Sequence, residues 1–154
     1  VARRAAALVG LPVGHVEPLQ LVRYSPGQRY LPHVDWGNVE DASLWMVGQR
    51  VATVLVYLND LPDGCLGGAT RFTQLGGRGP GGDIGQEGLR VRPRRGAAVA
   101  WPNVGLGGSP LFETEHEAEP LELPIAHCCG GEAPRKVAMN IWIRDRLVPW
   151  APVQ

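Results

Sequence analysis

His33 and Asp35, at the end of the stretch Leu19 to Trp36 (LQLVRYSPGQRYLPHVDW), are the first residues whose types and spacing suggest chemistry. An imidazole and a carboxylate two positions apart on a strand point to the same face. They would supply two thirds of a facial metal site. Two histidines and one carboxylate, with coordination positions left open, suit non-haem Fe(II) and its reactions with oxygen. Alone, His-x-Asp is a weak motif, because a surface histidine near a carboxylate produces it equally well. Its context strengthens it. An apolar strand leads into the pair, Trp36 follows and would help wall off a pocket, and ligands on one rigid strand need little reorganisation on binding.

The third ligand has three candidates, His15, His116 and His127. His15 precedes the first strand and is poorly placed. His116 lies in the acidic segment FETEHEAEPLEL, and His127 lies in a Pro/Gly/Cys-rich loop before the last strand. Periodicity alone leaves the choice between these two open. Lys136 reads either as a solvated charge at a strand end or as an inward cation able to pair with a dicarboxylate. Tyr24 and Tyr30 are by default half-buried aromatics, and either hydroxyl could hold a ligand carboxylate.

These residues must be positioned by short strands. Ala2 to Val9 is an Ala-rich helix that Gly10 and Pro12 stop, packed against the outside of a sheet. Val51 to Asp60, VATVLVYLND, is β-branched and apolar and is expected to be a central strand. Gly67 and Gly68 lead into a short strand through Phe72, where the backbone can turn tightly or approach another group. LRVRPRR alternates with a basic, solvated outer face and a Pro at its end, and AAVAW up to Trp101 reads as a buried strand. KVAMNIWIR alternates as the closing strand. Gly37 to Arg50 and Gly76 to Gly88 read as irregular connections, both long enough to act as lids. Seven or eight short strands with Gly/Pro punctuation predict a mainly β sandwich or barrel, and a jelly roll of eight strands in two sheets fits best.

Composition sets the outer limits. The 154 residues are expected to form one domain with one core. Hydrophobic residues at 44% and charged residues at 19% are those of a folded chain rather than a disordered one. Lys plus Arg and Asp plus Glu both number 15, so no net charge favours nucleic acid or an anionic membrane. No apolar run is long enough to span a bilayer. The opening VARRAAALVG is too short and interrupted for a signal peptide, and without an initiating Met the chain is expected to be a fragment lacking upstream sequence and any targeting segment it carried. Three Cys, Cys65 and the adjacent Cys128 and Cys129, with no CxxC, indicate no disulfide framework. Compartment and oligomeric state are not set by the sequence.

Taken in order, GLPVGHVEPLQLVRYSPGQRYLPHVDW, RVATVLVYLNDLPDGCLGGATRF, RVRPRRGAAVAWPN, HEAEPL and KVAMNIWIR resemble successive segments of the catalytic domain of the Fe(II)- and 2-oxoglutarate-dependent dioxygenases of the prolyl 4-hydroxylase type. The match runs over nearly the whole chain, and several motifs in the right order are far more specific than any one. The resemblance implies a double-stranded β-helix (jelly-roll, cupin-like) fold with a short N-terminal helix, spanning 1–154 as a single catalytic domain. It implies Fe(II), 2-oxoglutarate and O₂ as co-reactants, ascorbate as the reductant, release of succinate and CO₂, and hydroxylation of a peptidyl proline. An endoplasmic-reticulum location is compatible with the family.

Carried over residue by residue, the resemblance makes His33, Asp35 and His116 the iron ligands and Lys136 the anchor of the distal 2-oxoglutarate carboxylate, with Tyr24 a hydrogen-bonding partner of the cosubstrate. The family's distal His and basic residue stand closer together than His116 and Lys136 do, at a spacing nearer to that of His127. His116 is preferred because HEAEPL keeps its own motif and its distance from Trp101, and loops absorb insertions cheaply. His127 is its reserve, as Arg135 is for Lys136. The rival readings are a related oxygenase acting on another side chain, a small molecule or an alkylated base, and a non-catalytic jelly-roll binding module. A module released from catalysis would have no physical need for the full set of His-x-Asp, HEAEPL and Lys136.

Overall fold

The most apolar run of the chain becomes the centre of a sheet. In the computed structural model, which describes residues 1–38, 40, 43–62, 64–76, 88–122 and 133–149, strand β3 (Arg50–Tyr57) lies between β6 (Ala98–Pro102) and β8 (Lys136–Arg144), antiparallel to both. With β1 (Gln20–Tyr24) on the far side of β8, the order is β1-β8-β3-β6. A second antiparallel sheet has the order β2-β7-β4-β5, built from β2 (Tyr30–His33), β7 (His116–Ala118), β4 (Thr70–Phe72) and β5 (Leu89–Val91). Two four-stranded antiparallel sheets make the expected jelly roll.

Alternation along β3 and β8 distributes the side chains. Ala52, Val54, Ile141 and Ile143 face outward and form a core with Ala5 and Ala6 of helix α1 (Ala2–Leu8). The helix ends as expected: Gly10 adopts φ +73° and the Leu11 N–H closes on the Ala6 carbonyl at 3.0 Å. Leu55, Tyr57 and Ala138 face inward and pack with Phe72 and Trp101. Burial of both faces explains why β3 reads as a nearly continuous apolar run.

Three local details differ from the sequence reading. The strand ending at Trp101 is an edge strand, and of Ala98, Val99, Ala100 and Trp101 only Trp101 is buried, because β3 is its sole neighbour. The connection from Gly37 to Arg50 contains a short helix, α2 (Ser43–Val47). Its two ends are tied where the Gly37 N–H donates to Gln49 Oε1 at 2.7 Å and Gln49 Nε2 donates to the Gly37 carbonyl at 2.8 Å. Asp35 lies just beyond the end of β2, in a bend, so His33 and Asp35 are not carried on one strand. The loop from Gly76 to Gly88 lies almost entirely outside the described residues. Among the described residues no helix is long and apolar enough to cross a membrane.

The Gly67-Gly68 pair is a close approach, as its composition suggests. Gly67 has φ +67°, and a Cβ there would lie 2.0 Å from the Pro120 carbonyl oxygen, while the Gly68 N–H donates to that same oxygen at 3.0 Å. Gly67→Ala is therefore expected to lower the unfolding free energy by on the order of 2 kcal/mol, read as a fall in the urea midpoint. An unchanged midpoint would mean that the loop simply moves aside.

Candidate active site

β2 and β7 pair so that His33 and His116 stand directly opposite each other. Their ring centroids are 4.3 Å apart. His33 Nε2 lies 3.8 Å from Asp35 Oδ1, and His116 Nε2 lies 3.7 Å from Asp35 Oδ2. One ligand atom from each of the three residues falls within 4.8 Å of the others, a spacing suited to a single bound cation.

Backbone hydrogen bonds prepare both imidazoles in the same way. His33 Nδ1 donates to the Leu31 carbonyl at 2.8 Å, and His116 Nδ1 donates to the Thr114 carbonyl at 2.9 Å. A carbonyl can only accept, so each Nδ1 carries the proton and each Nε2 keeps its lone pair towards the cluster. Burial holds the His116 imidazole below the usual histidine value, against the opposing pull of the Asp35 carboxylate. The neutral ring is the metal-ligating form. His15 stands apart, with Nδ1 on the Arg144 carbonyl at 2.9 Å, and His127 lies outside the described residues together with Cys128 and Cys129.

The cluster opens into a cavity of about 300 Å³ between the sheets, within the range of small-ligand sites. The inward row of β8, Lys136, Ala138, Asn140 and Trp142, forms one wall. At one end the Lys136 side chain is almost wholly buried, at 2% exposure. Its ammonium lies 3.4 Å from Thr70 Oγ1 and 5.5 Å from the Tyr24 ring centre, and no carboxylate among the described residues comes within ion-pair distance. Burial pushes its pKa down from the ordinary 10.5 to about 8, partly offset by the more distant Glu119. A buried cation without a counter-ion is costly, and an anionic ligand would relieve that cost. Tyr57 Oη donates to Thr70 Oγ1 at 2.9 Å beside it. Burial raises the pKa of both Tyr24 and Tyr57, so both stay protonated and able to donate.

At the opposite end, Arg50 stacks 3.7 Å over Trp142. Glu17 holds the guanidinium through Nε at 2.6 Å and Nη2 at 3.0 Å, and also accepts from Arg144 Nε at 2.7 Å. Tyr30 sits edge-on to His33 at 4.3 Å. Trp36 does not line the cavity as expected. It packs against Phe112 at 4.9 Å, and Trp101 takes the wall position instead. Arg135 is exposed and does not line the cavity. Arg50, Thr53, Tyr57, Thr70 and Asn103 were not singled out from the sequence. Thr53 and Tyr57 did carry a signal, as polar-tipped residues on one face of an otherwise apolar strand.

A jelly roll that gathers two imidazoles and a carboxylate between its sheets, with room beside them, is the architecture of a mononuclear non-haem iron enzyme. The chain belongs to the 2OG-Fe(II) oxygenase superfamily, whose profile matches residues 19–144. Enzymes of that superfamily use Fe(II), 2-oxoglutarate and O₂. The chain is 33% identical to the prolyl 4-hydroxylase subunit alpha-1 of Gallus gallus over 93% of its own length and 23% of that protein's. It is 39% identical to prolyl 4-hydroxylase 1 of Arabidopsis thaliana over 70% of its length and 37% of that protein's. Among solved structures, the 2OG complex of the viral collagen prolyl hydroxylase from Paramecium Bursaria Chlorella virus-1 superposes with a TM-score of 0.61 at 26% identity, covering 84% of this chain and 59% of the other. The chain thus spans about a quarter of the length of the alpha subunits it matches.

Proposed function

We propose that this domain hydroxylates a prolyl side chain in a peptide or protein. One oxygen atom of O₂ enters the substrate C–H bond and the other enters succinate as 2-oxoglutarate loses CO₂, with ascorbate keeping the iron ferrous. The observation that carries this reading is the coincidence, in one cavity, of the His33, Asp35 and His116 cluster with the buried ammonium of Lys136. The similarity to prolyl 4-hydroxylases supplies the substrate class.

In this reading His33 Nε2, His116 Nε2 and a carboxylate oxygen of Asp35 would hold Fe(II), which when bound would supply the oxidative chemistry. The cavity beside these three residues would leave room for the cosubstrate. Lys136 neutralises the distal carboxylate of 2-oxoglutarate, and the hydroxyls of Tyr24 and Thr70 orient it, with Tyr57 donating to Thr70 from behind. Val22, Leu55, Trp101 and Ala138 line the middle of the cavity and exclude water from the reacting centre. Arg50, held by Glu17 and stacked over Trp142, offers a cation to an extended peptide at the other end of the cavity.

Protein loaded anaerobically with Fe(II) and 2-oxoglutarate should develop a weak visible charge-transfer band. On admission of air, proline-rich peptides should gain one oxygen in mass in step with succinate. The band without any peptide product would redirect the search to other side chains or small molecules. Folded, iron-loaded protein without the band would favour the non-catalytic binding module.

The buried lysine adds a pH dependence. With its pKa at about 8 in the ligand-free domain, Lys136 is charged below that pH and neutral above it, while a bound dicarboxylate raises the value again. Binding of 2-oxoglutarate should take up a proton above pH 8, so affinity falls as pH rises, to about tenfold weaker at pH 9. The folded value lies below the unfolded one, so the same group destabilises the ligand-free domain below pH 8, and that effect is relieved between about pH 8 and 10.5. Calorimetric titration at several pH values, in buffers of different ionisation heat, measures the proton uptake. A pH-independent affinity would remove Lys136 from the carboxylate site.

A further inference from the structure

Asp35 is the one member of the metal cluster outside a strand, since β2 ends at His33. Its backbone therefore does little to fix its carboxylate, and two buried polar residues do so instead. Thr53 Oγ1 donates to Asp35 Oδ2 at 2.7 Å, and Asn103 Nδ2 donates to Thr53 Oγ1 at 2.9 Å. Both residues have 0% exposure. The direction of this chain follows from the inventory of protons. A carboxylate only accepts, so Thr53 gives its single proton to Asp35 and can only accept from Asn103.

Each link is anchored in rigid backbone. Thr53 lies at the middle of β3, in register with Trp101 on one side and Trp142 on the other, and its β-branched side chain has few rotamers. The Asn103 N–H donates to the Val51 carbonyl at 2.9 Å, and its own carbonyl accepts from Leu111 at 3.0 Å. Both Asp35 oxygens border the cluster, Oδ1 at 3.8 Å from His33 Nε2 and Oδ2 at 3.7 Å from His116 Nε2, but among the described residues only Oδ2 accepts a hydrogen bond.

We propose that Thr53 and Asn103 are positioning residues for Asp35, forming a one-way hydrogen-bond relay that takes up one lone pair of Oδ2 and fixes the carboxylate in the orientation in which it meets the metal. The relay rests on the reading that His33, Asp35 and His116 hold a divalent metal. Outer partners of this kind orient a ligand, and their loss weakens metal binding without removing it.

The test uses Co(II) as a probe, titrated calorimetrically and followed by its visible spectrum, with the melting temperature recorded for each protein. Thr53→Val, which keeps the shape and removes the hydroxyl, should weaken Co(II) binding about 10–100-fold and alter the spectrum. Thr53→Ser should restore both. Asn103→Asp places a competing acceptor beside Thr53, so it should weaken Co(II) binding although the Thr53 hydroxyl is intact. It carries the test if Thr53→Val does not fold. Wild-type affinity and spectrum in either folded variant would overturn the relay alone. A wild-type protein that binds no Co(II) would overturn the metal site and the relay with it.

Discussion

His116→Ala is expected to abolish both Fe(II) binding and succinate formation, while His127→Ala leaves both near the wild-type level. His116 is buried against Asp35, opposite His33 in the β2–β7 register, with its Nδ1 proton committed to the Thr114 carbonyl and its Nε2 lone pair directed at the cluster. In the proposed site, removing it deletes one of three ligand atoms. The loss in metal affinity should exceed the roughly 10–100-fold expected for an outer partner. Its ring also packs against Trp101 at 4.7 Å and Phe72 at 5.7 Å, so some loss of stability accompanies the substitution. His116→Gln retains more of that volume and separates the two effects. Metal affinity by equilibrium dialysis and succinate release decide the matter. If His127→Ala alone removes both, the ligand role passes to His127.

The second large effect is at Lys136, where function and stability should move in opposite directions. Lys136→Met should raise the 2-oxoglutarate requirement by roughly 10²-fold or more, since truncating one partner of a buried charge pair costs about 2–5 kcal/mol. Fe(II) affinity should be nearly unchanged, because the ammonium is directed at Thr70 and Tyr24 rather than at the metal cluster. The ligand-free protein, however, should melt higher. The native side chain is a buried cation with no carboxylate of the described residues in ion-pair range, and an apolar chain of similar length removes its desolvation cost. A variant that loses 2-oxoglutarate binding and gains thermal stability would identify Lys136 as a residue kept for its ligand. Unchanged 2-oxoglutarate dependence would move the anchoring role elsewhere, and unchanged or lower stability would mean the ammonium is better solvated than its burial implies.

The sequence determined whatever depends on neighbours along the chain. Period-two alternation in KVAMNIWIR separates Lys136, Ala138, Asn140 and Trp142 from Met139, Ile141 and Ile143, and those sets face the cavity and α1 respectively. The Ala-rich helix ending at Gly10, the central strand β3 and the glycine approach at Gly67 follow from equally local physics. His33 and Asp35 were legible as a pair because they are two residues apart. Trp36 misled for the same local reason: sequence proximity to the pair says nothing about which way the ring turns, and it turns towards Phe112.

Only the tertiary structure decided which distant residues meet. Pairing of β2 with β7 brings His116 against His33, and the packing of the two sheets brings Thr70 under Lys136 and Tyr57. β3 presents Thr53 to Asp35 and accepts Asn103 behind it. No periodicity encodes these contacts, because each joins side chains far apart in the sequence that become neighbours only when the sheets close. A buried threonine in an apolar strand looks like packing until the carboxylate that takes its proton is in place.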